Sequence, residues 1–198
     1  NETVKLEAGV NFLIGKNGHG KTNLIEAIGL LSHGKSLRGA RSEDLFRHGE
    51  SSFSVFGKVI PDQEDSRIEL GVSQELKTKS LFINGARINQ IGRFIGNLIC
   101  ITFFPSDLDI IKGAPAERRR LLDKHIVDIQ PTFIQVLQEF NRVLKSKGAV
   151  LRSNQADDAA LETLDIMLAK LSCRVVIERQ KIIEKIQPKV TKVFKALV

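Results

Sequence analysis

Gly15-Lys16-Asn17-Gly18-His19-Gly20-Lys21-Thr22 is the stretch that decides how this chain is read. Its spacing fits the pattern G-x-x-x-x-G-K-[ST] at every position. Glycines let the backbone wrap closely round phosphate oxygens, with successive N–H groups pointing inward as an anion nest. A helix opening near Gly20 adds the positive end of its dipole. Lys21 then reaches the β- and γ-phosphates, which makes it the candidate catalytic residue, and the Thr22 hydroxyl is the candidate magnesium ligand. The nucleotide-contacting set predicted here is Gly15, Lys16, Asn17, Gly18, His19, Gly20, Lys21, Thr22 and Asn23, with ATP and Mg2+ as cofactors. His19 serves as a spacer. A glycine-rich turn with an incidental lysine would leave the surrounding strand–loop–helix pattern unexplained.

That pattern is α/β. Val10 to Ile14 is a short apolar run leading into the glycines, as a buried strand would be. Asn23 to Leu31 carries Leu24, Ile28 and Leu31 at helical spacing, and His33-Gly34 predicts a glycine cap. Phe53, Val55 and Gly57, then Ile68, Leu70 and Val72, alternate with polar neighbours, which predicts half-exposed antiparallel strands with a turn at Pro61-Asp62-Gln63-Glu64-Asp65. Leu81-Phe82-Ile83 reads as a third strand closed by Asn84-Gly85, and a short helix is expected over Ile88 to Ile95. Leu98 to Phe104 is continuously apolar, which predicts a strand buried on both faces.

From Ser106 the period changes. Ser106 is a candidate cap for a short helix through Ile111, and Pro115 suits a first helical position. Phe133, Leu137, Phe140 and Leu144 repeat at three and four, as do Leu161, Leu164, Leu168, Leu171 and Val175. Two long amphipathic helices broken at Arg152-Ser153-Asn154-Gln155 predict an antiparallel hairpin. Pro188 is expected to kink or end the next helix. The division that results is an ATP-binding lobe over 1–104 and a helical lobe over 105–198.

The chain has 198 residues, a net charge of +7 and a pI of about 9.5. With 42% hydrophobic and 27% charged residues it reads as soluble and globular, and a cytoplasmic location is expected. No run of about eighteen apolar residues predicts a membrane span. The first residues, Asn1-Glu2-Thr3, lack a Met, which leaves room for a removed leader or a truncation. Cys100 and Cys173 stand far apart in apolar runs and read as reduced core residues. The positive charge gathers at the C-terminal end, in Lys170, Arg174, Arg179, Lys181, Lys185, Lys189, Lys192 and Lys195 against Glu178 and Glu184. A basic chain suggests polyanionic partners, although a charged helix face is as often merely solvated.

Asn17-Gly18-His19-Gly20-Lys21-Thr22-Asn23-Leu24-Ile25-Glu26-Ala27-Ile28 resembles the P-loop of SMC-like, ABC-type ATPase heads. Three further groups of residues narrow the resemblance. They are Leu31-Ser32-His33-Gly34-Lys35-Ser36-Leu37-Arg38 with Asp44-Leu45-Phe46-Arg47-His48-Gly49; Phe104-Pro105-Ser106-Asp107-Leu108; and Lys112-Gly113-Ala114-Pro115-Ala116-Glu117-Arg118-Arg119-Arg120-Leu121-Leu122-Asp123. In this order and spacing they resemble the RecF family of bacterial recombination mediators along nearly the whole chain. The resemblance implies an ABC-type P-loop NTPase head, a mixed sheet with the P-loop helix, plus an inserted α-helical lobe with a long helical hairpin. It implies an ATP-dependent homodimer on duplex DNA near single-strand gaps, slow DNA-stimulated ATP hydrolysis, and RecA loading with RecR and RecO in recombinational repair, replication and the SOS response. It also exposes departures. The family's opening Asn-Phe-Arg-Asn-Tyr-like strand, its signature motif and its magnesium-binding strand-end Asp are not in this sequence. The chain is therefore read as a fragment that does not complete the two-headed ATP sandwich or hydrolyse ATP alone. Asp107, three residues late and after a proline, is a poor substitute for the missing acid.

The residues support a DNA partner through charge alone. Lys35, Arg38, Arg41 and Arg47 follow the P-loop helix, and Arg118, Arg119 and Arg120 cluster near a helix start; mobile cations of this kind suit phosphate contacts. The triplet could equally pair with Glu117. With no Trp or Tyr, no stacking platform is evident. The competing readings are a P-loop small-substrate phosphotransferase and a helical protein-interaction module.

Overall fold

The computed structural model describes residues 2–60, 67–153 and 158–197. The P-loop helix α1 spans Lys21–His33, and Gly34 ends it in the left-handed conformation (φ 65°), its N–H bonding to the Leu30 carbonyl. A 3₁₀ turn at Ser42–Leu45 leads to the first strands, β1 (Ser52–Val59) and β2 (Ile68–Glu75). They pair antiparallel from Ser52↔Glu75 to Val59↔Ile68, and β1 alternates between exposed and half-buried as its pattern predicts. The turn expected at Pro61 to Asp65 lies outside the described residues.

β3 (Thr78–Ile83) adds to β2, and Asn84-Gly85, both at positive φ, turn the chain into β4 (Ala86–Ile88). The sheet runs β1-β2-β3-β4, antiparallel throughout. Helix α1 lies against it where Gly57 faces Leu31; a Cβ at Gly57 would come within 2.5 Å of the leucine Cδ1. Leu30, Leu31, Leu70, Val72, Leu81 and Phe94 close this first core.

Two stretches read as buried strands are not strands. Val10 to Ile14 and Leu98 to Phe104 pair with no neighbour among the described residues, and Val10, Phe12, Ile14, Ile101 and Phe103 are largely exposed. Apolar composition supplies the wish to be buried, but a strand exists only where another strand satisfies its N–H and C=O groups. Ser32 holds the second stretch at its start, donating from Oγ to the Leu98 carbonyl at 2.7 Å.

The short α2 (Ile91–Phe94) carries the chain from the sheet to the helices. A 3₁₀ turn at Pro105–Leu108 precedes α3 (Asp109–Lys112), and α4 (Pro115–Ile129) opens with Pro115 at its first position. α5 (Phe133–Arg152) and α6 (Asp158–Leu197) form the antiparallel hairpin. Their packing with α4 buries Ile126, Val127, Phe133, Val136, Val175 and Ile182, a second core. Lys147 pairs with Asp165 toward the hairpin tip, and Asp123 of α4 receives a two-pronged bond from Arg179 of α6 at 2.7 and 2.8 Å. Pro188 does not end α6, which continues to Leu197. A proline removes a single helical hydrogen bond, and the helix-favouring Glu184, Lys185, Gln187 and Lys189 flank it on both sides. Cys173 is exposed on α6 rather than in a core, while Cys100 is half-buried; both are free thiols.

Candidate functional site: the phosphate loop and its basic surroundings

The loop has the backbone its glycines predict. Gly18 and Gly20 sit at φ 83° and 80°, a region side-chain-bearing residues rarely adopt. A Cβ placed at Gly15, Gly18 or Gly20 would meet nothing within 4 Å, so the concave side of the loop is open. Gly20 is the N-cap of α1 and no side chain caps it, which leaves first-turn N–H groups facing this space. Lys21 Nζ donates to the Gly15 and Lys16 carbonyls, both at 2.7 Å, folding its ammonium back over the loop. His19 N–H reaches the Lys16 carbonyl at 3.4 Å, which fits a spacer closing the turn. Thr22 and Asn23 are exposed at the helix start. Open glycines, free first-turn donors, an ammonium folded over the loop and an exposed hydroxyl form a donor set that fits a magnesium-bound triphosphate.

The basic candidates do not behave as one group. Lys35, Arg38, Arg41 and Arg47 are all exposed after α1. In the triplet, Arg118 donates to the Ile110 and Gly113 carbonyls and thereby ties α3 to α4. Arg120 pairs with Glu117 at 2.9 Å. Arg119 has no side-chain partner among the described residues, so it is the one member of the triplet free to meet an anion. Asp107 accepts from the Phe104 N–H at 2.7 Å, a turn-capping role that leaves it no part in the phosphate site.

Residues that sequence reasoning missed fix α1 in place. His33 in its last turn, 3% exposed, places Nε2 2.6 Å from Asp128 Oδ1 on α4, and His125 Nδ1 stands 3.6 Å from Oδ2. Burial alone would push the Asp128 carboxyl up. His125 and His33, with the charge of Lys124, outweigh it and hold Asp128 well below the usual carboxylate range. By distance the His33 contact is the hydrogen bond and the His125 contact a looser ion pair. Lys79 of β3 donates to the Gly34 carbonyl at 2.9 Å, a cation at the negative end of the helix. Burial, and secondarily the charge of Lys35, lower its pKa. The only local hint of these anchors was a histidine beside a glycine cap; its partner lies 95 residues away.

A glycine-rich phosphate loop opening a helix that packs on a sheet, with helices beyond, is the head of a P-loop ATPase. The sequence matches the family of the AAA domain over residues 1–196, and the chain belongs to that family. Among its relatives are DNA replication and repair proteins RecF: that of Clostridioides difficile (strain 630), 36% identical over 177 residues, and that of Thermoanaerobacter sp. (strain X514), 31% identical over 186 residues. These alignments cover 89% and 93% of this chain but 47% and 51% of the relatives. A solved structure of the recombination mediator protein RecF with ATP, of the RecFOR pathway, superimposes with a TM-score of 0.88 at 30% identity, over 96% of this chain and 52% of that one. The fold is thus that of a RecF-type, ABC-like P-loop ATPase head, and the chain spans about half the length of the relatives it matches.

Proposed function

We propose that this chain is the nucleotide-binding part of a RecF-type DNA replication and repair protein. The observation that carries the reading is the open phosphate loop, with Gly18 and Gly20 at positive φ and Lys21 poised over it. Gly15 to Gly20 and the first-turn N–H groups of α1 hold the phosphates, Lys21 leaves the Gly15 and Lys16 carbonyls for the β- and γ-phosphates, and Thr22 holds Mg2+. When bound, the ion neutralises phosphate charge. In the longer protein, ATP joins two heads as a homodimer on DNA. Exposed Lys35, Arg38, Arg41, Arg47 and Arg119 suit backbone phosphates without reading sequence. Recombination, loading of RecA with RecR and RecO at gaps, replication and the SOS response, slow DNA-stimulated ATPase activity and a cytoplasmic location rest on family resemblance. The chain then divides into an ATP-binding lobe (1–104) and a helical lobe (105–198), with Ile91 packed against both cores and Ile95 a member of the helical one.

The test is equilibrium binding of MgATP to the chain and to Lys21→Ala. Hydrogen bonds to charged groups contribute about 1.5–3 kcal/mol, so the variant should bind at least ~10-fold more weakly. Equal affinity would overturn the phosphate-loop reading.

A further inference from the structure

Glu26 is a carboxylate in an unusual position. It sits in the middle of α1, 5% exposed, and neither Oε1 nor Oε2 has a hydrogen-bond partner among the described residues. A buried carboxylate without a donor is strongly unfavourable, so such a group signals a partner that arrives from nearby. Glu26 forms part of the wall of a cleft of about 400 Å³, together with Asn23, Arg38, Gly39, Asp44 and Leu45. Arg38 is the one cation among the described residues of that wall. It makes no hydrogen bond or ion pair among the described residues.

The segment that carries Arg38 is already docked on the correct face of the helix. Leu37 covers Gly29 so closely that a Cβ there would lie 2.9 Å from its Cδ1. Glu26 and Gly29 are three residues apart, neighbours on one stripe of α1 about 5–6 Å from each other. Arg38 follows Leu37 directly, about 3.8 Å along the chain, and an arginine side chain is long enough to reach the stripe that carries Glu26. The loop is held on its far side by the Ala40 N–H donating to Ser36 Oγ at 2.9 Å. Lys21 bonds the phosphate loop, Asp44 accepts from the Arg41 N–H at 3.0 Å, and Lys35 and Arg41 do not line the cleft.

We infer that Glu26 is the acceptor for the Arg38 guanidinium, an intramolecular pair that shuts the cleft and fixes residues 35–45 against the P-loop helix. A planar guanidinium satisfies both carboxylate oxygens at once, which a lysine would not. Arg38 is then a positioning residue and leaves the DNA-contacting set. The inference rests on the packing of α1 and its neighbours, and it narrows the DNA-contacting set above to Lys35, Arg41, Arg47 and Arg119.

Hydrogen exchange on the whole chain tests it, with peptides of β1–β3 as the control for folding. Arg38→Ala strands the buried carboxylate, and exchange across 35–45 should quicken about tenfold, within the coupling range of contacting charges. Glu26→Gln in that background removes the stranded charge and should restore protection at least in part. If Arg38→Ala leaves 35–45 unchanged, or if the two substitutions simply add, the pair does not exist. Should Arg38→Ala also loosen the sheet, the double variant decides: recovery of protection supports the pair, and no recovery overturns it.

Discussion

Replacing Asp128 by Asn tests how the phosphate loop is anchored to the helices. The carboxylate is 11% exposed and receives His33 at 2.6 Å, with His125 at 3.6 Å, so little solvent screens the contact. Asparagine keeps the shape and can still accept from His33, but it loses the charge. A hydrogen bond to a charged buried group is worth about 1.5–3 kcal/mol, which puts the expected loss at pH 7 near 2 kcal/mol. The pH dependence follows from the direction of the shift. The folded carboxyl lies below its unfolded value, so its contribution is complete above the ordinary carboxylate range near ~4 and is lost as pH falls below that. Urea denaturation at pH 7, 5, 4 and 3, on the chain and on Asp128→Asn, should therefore show a gap that is present at 7 and 5 and narrows from 5 toward 3. A gap that is absent at pH 7, or unchanged at pH 3, would refute the assignment of Asp128 as the charged anchor of α1.

Arg119→Ala should weaken duplex binding and flatten its dependence on salt by close to one counterion, whereas Arg118→Ala should mainly lower stability, because its bonds go to the Ile110 and Gly113 carbonyls. Binding isotherms at several salt concentrations, beside melting curves, separate the two. Asp123→Ala leaves the Arg179 fork without its acceptor between α4 and α6, with a loss of about 2 kcal/mol in urea unfolding; an unchanged midpoint would make that pair ornamental. Gly20→Val forces a β-branched residue to φ 80° and should abolish MgATP binding while α1 persists by circular dichroism.

The sequence by itself determined what is local. Glycines at fixed offsets, a Gly-Lys-Thr at the mouth of a helix, His33-Gly34 at its end and alternation through Phe53–Gly57 each act on neighbours within a few residues. The phosphate loop, α1, β1 to β3 and the α5–α6 hairpin could accordingly be read before any coordinates, although β4 was missed because three residues after a turn carry too little pattern. What acts across the chain was hidden. Val10 to Ile14 and Leu98 to Phe104 look like strands by composition, yet a strand depends on the strand beside it. Arg118, Arg119 and Arg120 are alike in sequence; only packing sets one on carbonyls, one on Glu117 and leaves one free. His33 with Asp128, and Glu26 beside Arg38, are decided by how α1 lies against α4 and against the loop that follows it. Hydrogen bonds and ion pairs reach a few ångströms in space regardless of separation along the chain, so only the tertiary structure brings such partners together.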